Sequence, residues 1–273
     1  MTHSSEPVLD VCNYSKSYGA KRVVNNVSLT VNAGQIFGFV GHNGAGKTTL
    51  IRSIVGASSF TSGDIRICGL SVRDRPVACK AVTAYVSDNP DIYSFLTGAQ
   101  YLAYMANMFA VPQDVRAERI QRYAGLLQID DRLGELISAY SHGMRQKLVL
   151  VGAFLHNPRL LVLDEPFVGL DPQASYNLKT LMREHVASGA AIFFSSHVLE
   201  VVQKLCDEVA IIRAGSIVTC GPTNDVCGDA TLEQVFFELA NDQTPATHTS
   251  AAPATSARVR KPFGRTKGRD GRG

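Results

Sequence analysis

The chain has 273 residues, 45% of them hydrophobic and 19% charged, which excludes a wholly disordered protein and allows one or two domains at about 150 residues each. The formal net charge of +3 is uneven: from Thr244 onward seven Lys/Arg stand against one acid, +6, leaving 20 basic and 23 acidic residues, −3, for the rest. A mildly acidic body does not suggest a nucleic-acid-binding core. Along the chain, the first forty residues read as short strands. Val27–Val31 (VSLTV) alternates apolar and polar residues, as a half-exposed strand does. After the Asn32-Ala33-Gly34 turn signal, Gln35–Val40 (QIFGFV) is nearly all apolar and suits a strand buried on both faces. A glycine-rich loop and helix-compatible sequence over Lys47–Val55 follow.

A hairpin is expected around Asp64–Val72. Residues from about Leu96 to Asn157 read as helical, with Tyr101, Leu102, Met105, Met108 and Phe109 spaced by three and four. After Pro158, LLVLDEP is an apolar strand ending in two acids. A helix over Gln173–Ala187, a strand over Ala191–Ser195 and a helix over Val198–Leu205 then alternate, the pattern of a parallel sheet with covering helices. Val209–Gly221 reads as a closing hairpin and Leu232–Ala240 as a last helix. Thr244–Ala257 holds almost no large apolar residue, so it and the basic stretch behind it are expected to be a disordered tail.

No apolar run approaches the ~18 residues that cross a bilayer; the longest, Leu148–Leu155, has eight. Met1–Ser17 lacks the apolar segment of a secretory signal. The six cysteines show no CxxC pair and no zinc-like spacing, and read as reduced cytosolic thiols.

Gly41-His42-Asn43-Gly44-Ala45-Gly46-Lys47-Thr48 fits GxxxxGK[ST] between a strand and a helix. Its glycines let backbone N–H groups curl round an anion, and the helix adds its positive N-terminal end. Lys47 can reach the β- and γ-phosphates and the Thr48 hydroxyl can bind Mg²⁺. In LLVLDEP, Asp164 stands at the carboxyl end of a strand, where open α/β sheets bind ligands. Asp164 is expected to bind Mg²⁺ and Glu165 to orient or deprotonate an attacking water.

Together with Tyr140–Lys147 (YSHGMRQK), Gly169–Pro172 (GLDP), Ser195–His197 (SSH) and Tyr18 in SYGA, these motifs resemble the nucleotide-binding subunit of an ABC transporter over roughly Val8–Ala240. The resemblance implies an α/β P-loop NTPase fold: a mainly parallel sheet, an N-terminal antiparallel β subdomain, and a helical subdomain inserted at about 93–157. The ATP-binding domain would span 7–243 and the tail 244–273. ATP and Mg²⁺ are the implied ligands, held by Gly41, Asn43, Gly44, Ala45, Gly46, Lys47, Thr48 and Thr49. Tyr18 would stack on adenine or merely pack. Ser141 and Gly143 would open a helix toward the γ-phosphate held by a second nucleotide-binding subunit, Ser141 serving equally as a helix cap. His197 would contact the γ-phosphate, with Lys47 and Glu165 completing the catalytic set. Asp171 would cross to the second subunit or cap its own helix.

The sequence departs from the family pattern in two places. Asp88 stands where the family has a glutamine, and reads as a metal ligand or as a loop cap. His142 and Met144 replace a glycine and a glutamine of the signature. YSHGM with a DNPD stretch is similar to bacterial ATPases serving type-two exporters. The expected role is an ATPase, peripheral on the inner face of the cell membrane, powering export through a separate membrane-spanning permease. No nucleic-acid partner is expected, and the basic tail could touch anionic lipid. The alternative is a soluble ATPase of the same family acting on ribosomes or nucleic acid.

Overall fold

The computed structural model describes residues 7–241; the expected tail, 244–273, lies outside them. In chain order its elements are β1 (Leu9–Tyr18), β2 (Lys21–Val31), β3 (Ile36–Val40), α1 (Lys47–Ile54), β4 (Ser62–Ile67), β5 (Leu70–Ser71), α2 (Pro76–Ala81), β6 (Thr83–Val86), α3 (Gly98–Met108) and α4 (Gln113–Leu126). There follow α5 (His142–Leu155), β7 (Leu160–Asp164), α6 (Pro172–Ala187), β8 (Ala191–Ser195), α7 (Leu199–Leu205), β9 (Glu208–Arg213), β10 (Ser216–Pro222), α8 (Thr223–Cys227) and α9 (Leu232–Asn241).

Two sheets organise these elements. One is antiparallel with order β2-β1-β4-β5, and the other has order β10-β9-β3-β8-β7-β6. In the second, β9, β3, β8, β7 and β6 run parallel and β10 closes the edge antiparallel to β9. Its central strands are apolar on both faces because both faces are covered. Ile36, Leu161, Leu163, Ile192 and Phe194 point into a core shared with α5 and α6. Phe37, Phe39, Leu160, Val162 and Phe193, one residue out of step, point into a second core with α1 and the antiparallel sheet. The period-two alternation of the strands thus makes the parallel sheet a wall between two cores.

The strand read from QIFGFV is β3, buried at all five positions. VSLTV is the end of a longer strand, and its alternation of buried and exposed residues is present. The N-terminal strands are not short: β1 has 10 residues and β2 has 11. Helices α3, α4 and α5 occupy the chain between β6 and β7, where the periodicity places them. α3 begins on a capping box, Thr97 Oγ1 accepting from the Gln100 N–H at 3.2 Å while the Gln100 side chain accepts from the Thr97 N–H at 2.9 Å. Among the described residues, none of the six cysteines is joined in a disulfide.

Candidate active site

The glycine loop joins β3 to α1 at the carboxyl end of the parallel strands. Gly46, the residue before α1, has φ 111°, and a Cβ there would lie 2.8 Å from Val24 Cγ2. Only glycine allows both that dihedral and that approach to β2. Lys47 is 8% exposed, and its ammonium donates to the Gly41 carbonyl at 2.6 Å and the His42 carbonyl at 3.3 Å. Burial lowers its pKa, while the charges of Glu165 and Asp164 pull it back up.

Asp164 ends β7 and is 3% exposed. It accepts from Thr48 Oγ1 at 3.2 Å and from Ser195 Oγ. Burial raises its pKa first; the Ser195 and Thr48 hydroxyls oppose that rise, and the Asp88 and Glu165 carboxylates add to it. Ser195 is a site residue that the SSH motif singled out only for its histidine. It faces Asp164 because β8 pairs with β7 in parallel register at Asp164–Ser195.

Glu165 turns the chain away from the sheet with φ 52°, a left-handed conformation that is costly for a residue with a Cβ. The turn is held by the Glu165 N–H donating to the Ser195 carbonyl at 3.1 Å. Its carboxylate Oε2 lies 2.9 Å from His197 Nδ1. The sequence-expected base and histidine are therefore in direct contact.

A cleft of about 220 Å³ is lined by Asn43, Gly44, Gly46, Lys47, Thr48 and Thr49 on the loop side and by Asp88, Asp164 and Glu165 opposite. Gly41 and His197 line an adjoining cleft of about 250 Å³. Ala45 is buried in the loop, its N–H donating to the His42 carbonyl at 3.1 Å. A hydroxyl and carboxylates form a hard-oxygen donor set of the kind that suits Mg²⁺, so Thr48, Asp164 and Asp88 fit the implied ion.

Other expected site residues lie outside this cleft. Tyr18 is half exposed at the end of β1. Ser141 caps α5, accepting from the Met144 N–H at 3.2 Å. Gly143 packs against the loop after β7: a Cβ on it would lie 2.4 Å from the Gly169 carbonyl. Asp171 caps α6, accepting from the Ala174 N–H at 2.8 Å, and pairs with Lys147 at 2.6 Å. The Lys147 ammonium, then the Ala174 N–H, hold its carboxyl below the usual range.

The sequence matches the ABC transporter family over residues 24–168. The chain belongs to that family and is an ATP-binding subunit. It is 36% identical over 245 residues to the ABC transporter ATP-binding protein YhcH of Bacillus subtilis, covering 88% of this chain and 78% of that protein. It is 30% identical over 249 residues to the Nod factor export ATP-binding protein I of Ralstonia nicotianae, covering 91% and 77%. A solved structure of the ATP-binding subunit of an ABC transporter superposes with TM-score 0.83 at 32% identity, covering 86% of this subunit and all of that chain. Such relatives imply a membrane-spanning partner, and they do not favour an ATPase of ribosomes or nucleic acid. Among the described residues no helix of the subunit is long and apolar enough to cross a membrane.

Proposed function

We propose that this subunit hydrolyses ATP and uses the cycle to drive export through a separate membrane-spanning permease. The observation that carries the reading is one cleft shared by Lys47, Thr48, Asp164, Glu165 and Asp88, with Thr48 and Asp164 already 3.2 Å apart.

The loop N–H groups and the N-terminus of α1 cradle the triphosphate of ATP. The Lys47 ammonium moves from the Gly41 and His42 carbonyls to the β- and γ-phosphate oxygens, and its burial strengthens that interaction. Thr48 and Asp164 hold Mg²⁺, with Asp88 as a further oxygen donor. Bound there, the ion neutralises charge on the β- and γ-phosphates. Glu165 takes the proton of the attacking water, and the His197 ring fixes its carboxylate through the 2.9 Å contact and reaches the γ-phosphate. Tyr18 stacks on the adenine.

A second copy or a paralogue packs head to tail, so that Ser141, Gly143 and the N-terminus of α5 meet the nucleotide held by the other subunit. α3, α4 and the start of α5 form an inserted helical subdomain that passes the motion on. An apolar groove of about 660 Å³ between α2, α3 and α5, walled by Val77, Tyr101, Met105, Met108 and Phe109, receives a segment of the permease. Export is favoured because the Ralstonia relative carries export in its name. The subunit sits on the inner face of the membrane, where the basic residues beyond Thr244 supply charge for anionic headgroups.

Glu165→Gln tests the chemistry. ATP binding is expected to persist while turnover in the complex with the permease falls by about 10²–10⁴, the usual worth of acid–base help. Turnover at the wild-type rate would remove Glu165 from the catalytic role.

A further inference from the structure

The Tyr18 ring is half exposed, 53%, and its other side is taken by a cation. The Lys16 ammonium lies 4.7 Å from the ring centroid, within cation–π range. Lys16 is itself 8% exposed, and none of the ion pairs among the described residues includes it. A covered lysine without a counter-ion needs other partners. This one has the Ser59 carbonyl, to which it donates, and the face of Tyr18. The backbone explains how it is aimed. β1 changes register against β2 between Tyr14 and Lys16 and again between Lys16 and Ser17, and Tyr14, Ser15 and Lys16 are buried in succession. Irregularities of this kind re-aim side chains within a strand.

We propose that Lys16 is a positioning residue for the base of the bound nucleotide. Its ammonium, tied to Ser59, holds the Tyr18 ring from the protein side and leaves the outer face for a purine. This inference rests on the reading of Tyr18 as the base-stacking residue. Two physical effects follow. The ring is ordered before the ligand arrives, so stacking loses less side-chain freedom. The cation also draws π density toward itself, which lessens the repulsion between the ring and a second π system on the outer face. Neither effect reaches the phosphates, which belong to Lys47 and the glycine loop.

Inorganic tripolyphosphate probes the loop without a base, and comparison with ATP isolates the base-dependent gain. Both ligands, with Mg²⁺, are titrated into the full-length wild type, Lys16→Gln, Lys16→Arg, Tyr18→Ala and the Lys16→Gln/Tyr18→Ala double variant, with folding checked by circular dichroism. Glutamine removes the charge but keeps an N–H for Ser59; arginine keeps a cation that stacks on aromatic faces. The expected result is a Kd for ATP raised about two- to fivefold in Lys16→Gln, from the ordinary worth of an exposed cation–π contact. Tripolyphosphate affinity is unchanged, Lys16→Arg restores ATP affinity, and the double variant is no weaker than Tyr18→Ala. If Tyr18→Ala keeps the full preference for ATP over tripolyphosphate, the stacking role of Tyr18 falls. If Tyr18→Ala loses that preference and Lys16→Gln does not, the Lys16 proposal alone is overturned. Equal weakening of both ligands in Lys16→Gln overturns it too, since a merely structural lysine would behave that way.

Discussion

His156→Phe should make the subunit less sensitive to acid. His156 follows α5 and stacks on Phe109, ring centroids 3.8 Å apart and planes 12° from parallel, and both ring nitrogens are buried. Burial pushes its pKa down to about 4; the Gly152 and Thr83 backbone opposes the shift, and His185 and Arg119 add to it. In the unfolded chain the ring titrates near 6.5. Between those two values the unfolded chain binds a proton that the folded chain refuses. Stability is therefore whole above about pH 6.5 and falls as the pH drops through the window. At about pH 5 the proton-binding factors are roughly 33 for the unfolded ring and 1.1 for the folded one, a ratio of about 30, or ~2 kcal/mol. Partial exposure of the ring brings that to about 1–2 kcal/mol. In a domain of this size each kcal/mol moves Tm by about 2–4 °C, so the expected share of His156 is about 2–8 °C. Phenylalanine keeps the stack and the volume and cannot titrate. Scanning calorimetry at about pH 7.5 and about pH 5 should show a Tm drop smaller by that amount in the variant. His185, shifted the same way by burial, leaves part of the drop in place. Parallel Tm-against-pH curves for wild type and variant would refute the reasoning.

Gly143→Ala places a Cβ 2.4 Å from the Gly169 carbonyl, a backbone atom that cannot swing aside; overpacking of about 1–3 kcal/mol should lower Tm by several degrees, and an unchanged Tm would contradict the close approach. Asp88→Ala should raise the Mg²⁺ concentration needed for half-maximal ATP binding about tenfold, in the range seen when a supporting metal contact is lost; an unchanged Mg²⁺ dependence would leave Asp88 as a loop residue only.

Where burial and periodicity agree, the fold was legible. β3, β7 and β8 are apolar at nearly every position because helices or the second sheet cover both faces, and the glycine loop and the acids fix their ends. β1 was not legible as one strand. Its bulged register buries Tyr14, Ser15 and Lys16 consecutively, which erases the alternation that marks a strand. β6 and α2, with 4 and 6 residues, are too short for periodicity to act. In the site, Lys47, Thr48, Asp164 and Glu165 could be named from motif chemistry alone. The contact of Glu165 with His197 and the hydroxyl of Ser195 on Asp164 needed the pairing of β7 with β8, which brings residues 31 apart in sequence together. The contact of Gly143 with Gly169 is likewise a product of packing between α5 and the loop after β7, with no local signal in either segment.

The most direct test of the account is the equilibrium affinity of Lys47→Ala for Mg·ATP, measured by titration calorimetry on folded protein. Loss of a charge-assisted contact to phosphate, about 1.5–3 kcal/mol, predicts binding weaker by roughly ten- to hundredfold. Wild-type affinity in that variant would mean that the glycine loop and the acids at the end of β7 do not hold the triphosphate.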